Sequence, residues 1–264
     1  MTIFIEVEYF FICNNEIMKR QFFGIICILL FLVVSCGGNE DTDGNEIISV
    51  VGIWGTENGE EFSYLTLLSN NTFLYAENDL SVNSNQENGL ELGSYTYDSS
   101  KEEITFNIAY DDNAPGDDSG IGDIGTPLTF NASVLKGGST RLSLLEGDLI
   151  LDKIELITTS PIIGVWGVEN GNEFSYLMLL SDNKFLYAEN DLNVTSNAEN
   201  GLEVGTFVYD PSNEELIFEI EYDDNAPGED SGVGDAGASI NIHAVLSNEN
   251  NTLTIAGLIL SKAL

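Results

Sequence analysis

The chain is written twice. Val51-Gly52-Ile53-Trp54-Gly55 returns as Ile163-Gly164-Val165-Trp166-Gly167, and at that offset of 112 the stretches 52–123 and 164–235 share 51 identities in 72 positions without a gap. Solenoid repeats recur every ~20–50 residues. A period this long is that of a whole domain, so the chain is expected to hold two like domains, with a boundary near Thr158-Thr159-Ser160-Pro161. Each copy needs its own core, and a composition that is 43% apolar can supply two.

Within each copy the pattern is antiparallel β. The runs Phe62 to Leu68 and Thr72 to Ala76 flank Ser69-Asn70-Asn71, and asparagine tolerates the positive φ that a tight hairpin turn requires. The second copy puts Ser181-Asp182-Asn183 at the same turn. Ile104, Phe106, Ile108 and Tyr110 alternate with polar residues, as do Leu216, Phe218, Ile220 and Tyr222, which predicts strands with one buried face. No stretch of 10–15 residues shows a clean helical period. The expected fold is all-β: two tandem antiparallel up-and-down β-barrel or barrel-like modules of about eight strands each, over residues 51–157 and 158–264.

The amino terminus reads as an address. Met18-Lys19-Arg20-Gln21 is a short positive region, and Phe22 to Val34 is an apolar run of 13 residues. That length is typical of a secretory signal and short of the ~20 residues that cross a bilayer as a helix. Leu32-Val33-Val34-Ser35-Cys36 resembles the lipobox of bacterial lipoproteins. The resemblance implies a signal peptide over 18–35, cleavage before Cys36, and acyl chains on Cys36 that moor the protein to a membrane of the bacterial cell envelope. Residues 1–17 carry Glu6, Glu8 and Glu16 and do not suit a positive leader, so translation is expected to begin at Met18. Cys13 and Cys27 precede the cleavage point, which leaves no pair for a disulfide in the mature chain. Residues 36–50 are glycine-rich and acidic and read as a solvated tether. Such tethers resemble those of surface-exported lipoproteins of Gram-negative bacteria, which extends the expectation to the outer membrane and the cell surface.

The Gly-x-Trp strand, the aromatic hairpin and Gly93-Ser94-Tyr95-Thr96-Tyr97 together resemble lipocalin-type and avidin-type barrels. They are also similar to uncharacterised bacterial repeats that open on a Gly-x-Trp strand. That likeness implies a small closed or nearly closed barrel with a ligand mouth. Under it Trp54 and Trp166 are structural plugs at a barrel end or rings that stack on a ligand. Tyr75 and Tyr187 join them as candidate ligand contacts, or else are half-buried strand residues.

Charge narrows the partners. With 44 acidic and 8 basic side chains the formal charge is −36, and nucleic acid, which is bound through cations, is excluded. The lone His243 has Asn131 at its place in the first copy, so it is expected to be a strand residue and not a general base. Paired carboxylates of the kind that hydrolyse glycosides are a remaining, unspecific alternative. No cofactor is called for by a motif.

Calcium is the one specific ion candidate. Residues 111–123 and 223–235 form a long loop rich in Asp and Gly that differs between copies only at Asp117/Glu229 and Ile121/Val233, while the next thirteen positions agree at only 2. Two like charges 4 Å apart cost about 1 kcal/mol even in bulk water, and a hard cation taking about six to eight oxygens would reverse that cost. The candidate ligands are Asp111, Asn113, Asp117, Asp118 and Asp123, with Asp223, Asn225, Glu229, Asp230 and Asp235 in the second copy. The competing reading is a plain solvated loop. A second acidic cluster, Glu77-Asn78-Asp79 with Glu87-Asn88-Gly89, recurs as Glu189-Asn190-Asp191 with Glu199-Asn200-Gly201, and either lines a barrel mouth or faces solvent. Together these features point to a non-catalytic binding module for a small apolar ligand, a glycan or a protein, presented bivalently on its tether. The alternative is a structural coat or adhesion protein without a small-molecule ligand.

Overall fold

The computed structural model describes residues 49–264 apart from 59–60, 80–88, 112–119, 137–139, 145–148, 158–159, 171–172, 192–200, 224–231 and 248. The leader, Cys36 and the tether up to residue 48 lie outside the described residues, whereas Val50, at the end of the span read as tether, is buried in the first core. The first module contains β1 (Gly52–Asn58), β2 (Glu61–Leu67), β3 (Thr72–Asp79), β4 (Gly89–Asp98), β5 (Glu103–Asp111), β6 (Leu128–Asn131), β7 (Ser133–Lys136), β8 (Thr140–Leu144) and β9 (Leu149–Ile154). The second contains β10 (Gly164–Asn170), β11 (Glu173–Leu179), β12 (Lys184–Asp191), β13 (Gly201–Asp210), β14 (Glu215–Asp223), β15 (Ser239–Ser247), β16 (Thr252–Ile255) and β17 (Leu258–Lys262). All pairings are antiparallel.

The second module is a closed barrel in the order β10 to β17. The first is a nine-stranded sheet in the order β6-β5-β4-β3-β2-β1-β9-β8-β7. Its two edges are successive in the chain and separated only by Ala132, so β6 and β7 are the two halves of what is one strand, β15, in the other copy. The backbone N–H of Ala132 bonds the carbonyl of Glu102, and Ala244 bonds Glu214 in the same way. The sequences here have diverged while the pairing has not: Glu103 faces Asn131 and Glu215 faces His243.

Each barrel interior is filled by its own side chains. Trp54, Leu65, Leu67, Phe73 and Phe106 are all fully buried in the first core, and Trp166, Leu177, Leu179, Phe185 and Phe218 fill the second. Phe73 meets Phe106 edge-on at 4.8 Å, and Phe185 meets Phe218 at 4.6 Å. The hairpin turn follows the sequence reading: Asn71 and Asn183 take φ of 68° and 69°, and Leu68 and Leu180 close the turn onto Thr72 and Lys184.

A third apolar cluster belongs to neither interior. Ile53, Phe62, Tyr64, Leu68, Leu74, Ala76 and Leu90 from the outer face of the first sheet pack with Val165, Phe174, Tyr176, Met178, Leu180, Leu186, Ala188 and Leu202 from the outer face of the second. The two modules thus share one buried seam within a single compact unit, Ile48–Leu264. The seam is pseudo-two-fold. Thr66 and Met178 occupy the same place in the two copies, and the Thr66 hydroxyl lies 3.0 Å from the Met178 sulfur. Lys184 pairs with Glu57, and its counterpart Thr72 sits 3.5 Å from Glu169, the counterpart of Glu57. Contacts of position i with j and of j with i define an isologous interface.

Candidate binding site at the acidic barrel ends

One end of each barrel interior is polar, and a bulge is the cause. Glycine at 93 lets β4 and β5 approach closely: a Cβ there would lie 2.1 Å from the carbonyl oxygen of Asn107, and one on Gly205 would lie 2.0 Å from that of Glu219. The register then shifts, Gly93 facing Ile108 but Leu92 facing Tyr110. Ala109 is the extra residue, and an extra residue inverts every side chain beyond it. Tyr110 therefore leaves the inward alternation expected from Ile104, Phe106 and Ile108 and packs on the seam, 6.2 Å from the Phe174 ring. Asp111 turns inward instead, opposite Glu91. The second copy repeats the shift between Val204 and Gly205, with Tyr222 outward and Asp223 opposite Glu203.

Glu91 is the centre of the arrangement. It stands opposite Tyr75 on β3 and is 0% exposed; Glu203, opposite Tyr187, is 1% exposed. Glu91 Oε1 accepts the backbone N–H groups of Ile121 at 2.7 Å and Gly122 at 3.2 Å. Glu203 Oε1 accepts those of Val233 at 2.7 Å and Gly234 at 3.4 Å. Each carboxyl thereby latches the returning end of the acidic loop onto the barrel, and Ile121 enters the core behind it. Gly232 crosses the carboxyl so closely, with φ of 86°, that a Cβ would fall 1.6 Å from Glu203 Oε1. The other oxygen, Oε2, is buried without a hydrogen-bond partner in both copies.

The neighbours are acidic. Tyr75 donates to Glu77 Oε2 at 2.7 Å, and Tyr187 does the same to Glu189. Burial pushes the Glu91 and Glu203 carboxyls up to about 8, against the lowering effect of the latch N–H groups and helped by the nearby charges of Asp111 and Glu77, or Asp223 and Glu189. With no cation bound, both carboxyls keep their proton at neutral pH, and a cation taken up there would have to displace it.

The candidate residues read from sequence divide. Asp111 and Asp223 line this end, half-buried, while Asp123 and Asp235 lie beyond the latch and are exposed. Asn113, Asp117, Asp118, Asn225, Glu229 and Asp230 lie outside the described residues. Glu77 is half-buried and lies near Glu91, while the side chains of Asn78 and Asp79 and residues 87–88 lie outside the described residues. Trp54 and Trp166 are fully buried and donate from Nε1 to the carbonyls of Val50 and Ile162 at 2.7 and 2.8 Å. Tyr75 and Tyr187 are buried beside the acids. His243 is exposed on β15, 3.5 Å from Glu214. Glu91 and Glu203 escaped the sequence reading, because an acid between two leucines in Gly89-Leu90-Glu91-Leu92-Gly93 reads as the wet face of a strand; here the leucines face the seam and the acid faces the core.

Among the described residues no group of three His, Cys, Asp or Glu side chains is arranged to hold a metal ion, and no helix is long and apolar enough to cross a membrane. No protein-family model matches the chain, and no curated protein matches it either.

Proposed function

We propose that the chain is a lipoprotein moored through Cys36 to the outer membrane of a bacterial cell, and that its twin barrels form a non-catalytic binding module. Ligand contact falls at the barrel ends and outer surfaces, because the interiors are packed with their own side chains. Each acidic end takes a hard cation, calcium, with Glu91 and Asp111, or Glu203 and Asp223, as the inner oxygens. The candidates for the remaining ligands are the loop residues Asn113, Asp117 and Asp118, or Asn225, Glu229 and Asp230, which lie outside the described residues.

The supporting observation is the buried Oε2 of Glu91 and of Glu203. A carboxyl oxygen shielded from water, lacking a donor and set beside further acids is costly as it stands, and a cation removes that cost. That the arrangement recurs in both copies, beside a loop that has diverged far less than the strand after it, supports the same reading. Calorimetric titration of the mature chain with calcium chloride at 0.15 M salt is expected to show saturable binding with two equivalents per chain and a raised melting temperature. No heat and no thermal shift at several millimolar calcium would contradict the reading. Incorporation of labelled palmitate that is lost in Cys36→Ser tests the anchor.

A further inference from the structure

The chain enters the first barrel at one end, and acids gather at the other. Val50 is buried in the core and its carbonyl accepts the Trp54 Nε1 N–H at 2.7 Å, so the incoming chain is pinned where β1 begins. Gly52 there faces Leu67, and Ile53 faces Ile154 at the end of β9. From this base β1 runs to Asn58, which faces Glu61, and Glu61 faces Asp79. Glu57, Glu61, Glu77, Asp79, Glu91 and Asp111 all fall in the far half of their strands, with no basic residue among them.

The base half carries every basic residue of the module. Lys101 lies in the turn between β4 and β5, Lys136 ends β7, and Arg141 is the second residue of β8. Lys153 stands one residue before the end of β9, its ammonium 5.5 Å from the Trp54 ring. Asp98, Glu102, Glu103 and Asp152 accompany them, so the charges of the two signs cancel. The barrel thus has one neutral end and one strongly negative end. The basic residues of the second barrel keep the same side: Lys184 opens β12, whose other end carries Glu189 and Asp191, and Lys262 closes β17 against Trp166. The second acidic end adjoins the first at the seam, since Tyr110, beside Asp111, meets the ring of Phe174, which pairs with Asn190 beside Glu189.

We propose that the base of the first barrel is the face turned to an anionic lipid surface, with the acidic ends turned to the medium. This rests on the anchoring through Cys36 proposed above. Only the twelve residues 37–48 separate Cys36 from Ser49, a length of chain whose ends stay about 20 Å apart on average. β5, nine residues long, by itself spans about 30 Å. The tether therefore holds the base, and not the acidic end, beside the membrane. Charge selects the same attitude. At physiological salt the field of a charged surface reaches about 8 Å, so an acidic end inside that layer is repelled and one lifted beyond it is not. The neutral base meets the surface without that repulsion. The cation sites then open away from the lipid, toward ions arriving from the medium.

With Cys36 acylated and the leader removed, the mature chain has no free thiol, so one introduced cysteine can carry a dye. Ser99→Cys marks the base and Glu61→Cys the acidic end, and both positions are exposed. The measurement is energy transfer from each dye to an acceptor on lipid headgroups, with the lipidated chain on vesicles of phosphatidylcholine and phosphatidylglycerol. Transfer at least about twofold greater from the Ser99→Cys label is expected. Equal transfer from the two positions, or more from Glu61→Cys, would overturn the proposal while leaving the anchor standing. A chain that fails to sediment with the vesicles, just as its Cys36→Ser variant fails, would instead remove the anchor and this orientation with it.

Discussion

At the scale of single residues, one carboxyl in each copy carries the most chemical information. Glu91 and Glu203 are held protonated near neutrality, and their pKa values of about 8 stand above the ordinary 4.5. Between those two values the folded chain keeps a proton that the unfolded chain has released. The associated stability is fully present below pH 4.5 and is lost as pH rises through 8. In the absence of calcium, wild-type unfolding free energy is expected to fall by about a few kcal/mol between pH 5 and pH 9. The double variant Glu91→Gln, Glu203→Gln, which keeps an acceptor for the latch without a charge, is expected to flatten that fall. Denaturant titrations at several pH values give the comparison, and parallel curves would refute the assignment. The turn residue Asn71 is a smaller case: its φ of 68° penalises a residue that lacks a short polar side chain. Asn71→Ala is expected to cost about 1 kcal/mol, and Asn71→Gly little or nothing.

At the scale of elements, the β4–β5 pair decides which side chains reach the barrel end. Gly93 permits the bulge, and the bulge brings Asp111 in and sends Tyr110 out. Gly93→Ala or Gly205→Ala would force a strand apart and is expected to destabilise by about 2–3 kcal/mol, as overpacking of a filled core does. A urea midpoint within error of wild type would show that the close approach is not needed. The same strand shows where sequence reading ends. Hairpins, strand number and the inward places of Ile104, Phe106 and Ile108 were all legible, because a period of two and a turn asparagine are local signals. The switch at Ala109 was not, since an exposed alanine in an alternating run gives no sign that two residues oppose one. The seam had left a trace: Tyr64-Leu65-Thr66-Leu67-Leu68 abandons alternation, as strands buried on both faces do.

At the scale of the whole molecule, duplication gave the chain a partner for its own outer face. An isolated copy would expose Phe62, Tyr64, Leu74 and Leu90, an apolar area large enough to invite association. Fused in tandem, the two copies cover each other along the shared seam. Charge at the centre of the seam should break it: Met178→Asp is expected to cost about 3 kcal/mol or more by burying an unpaired carboxylate. Because the seam joins both copies, a single transition should split into two on thermal scanning of that variant.

The most direct measurement cuts the connection between the copies. With a protease site placed between Thr158 and Thr159, the cleaved chain is expected to elute from a sizing column as one species of unchanged size, and to separate into halves only in the Met178→Asp background. Halves that part on cleavage of the otherwise unaltered chain would contradict the shared seam and, with it, the description of this protein as one two-fold body.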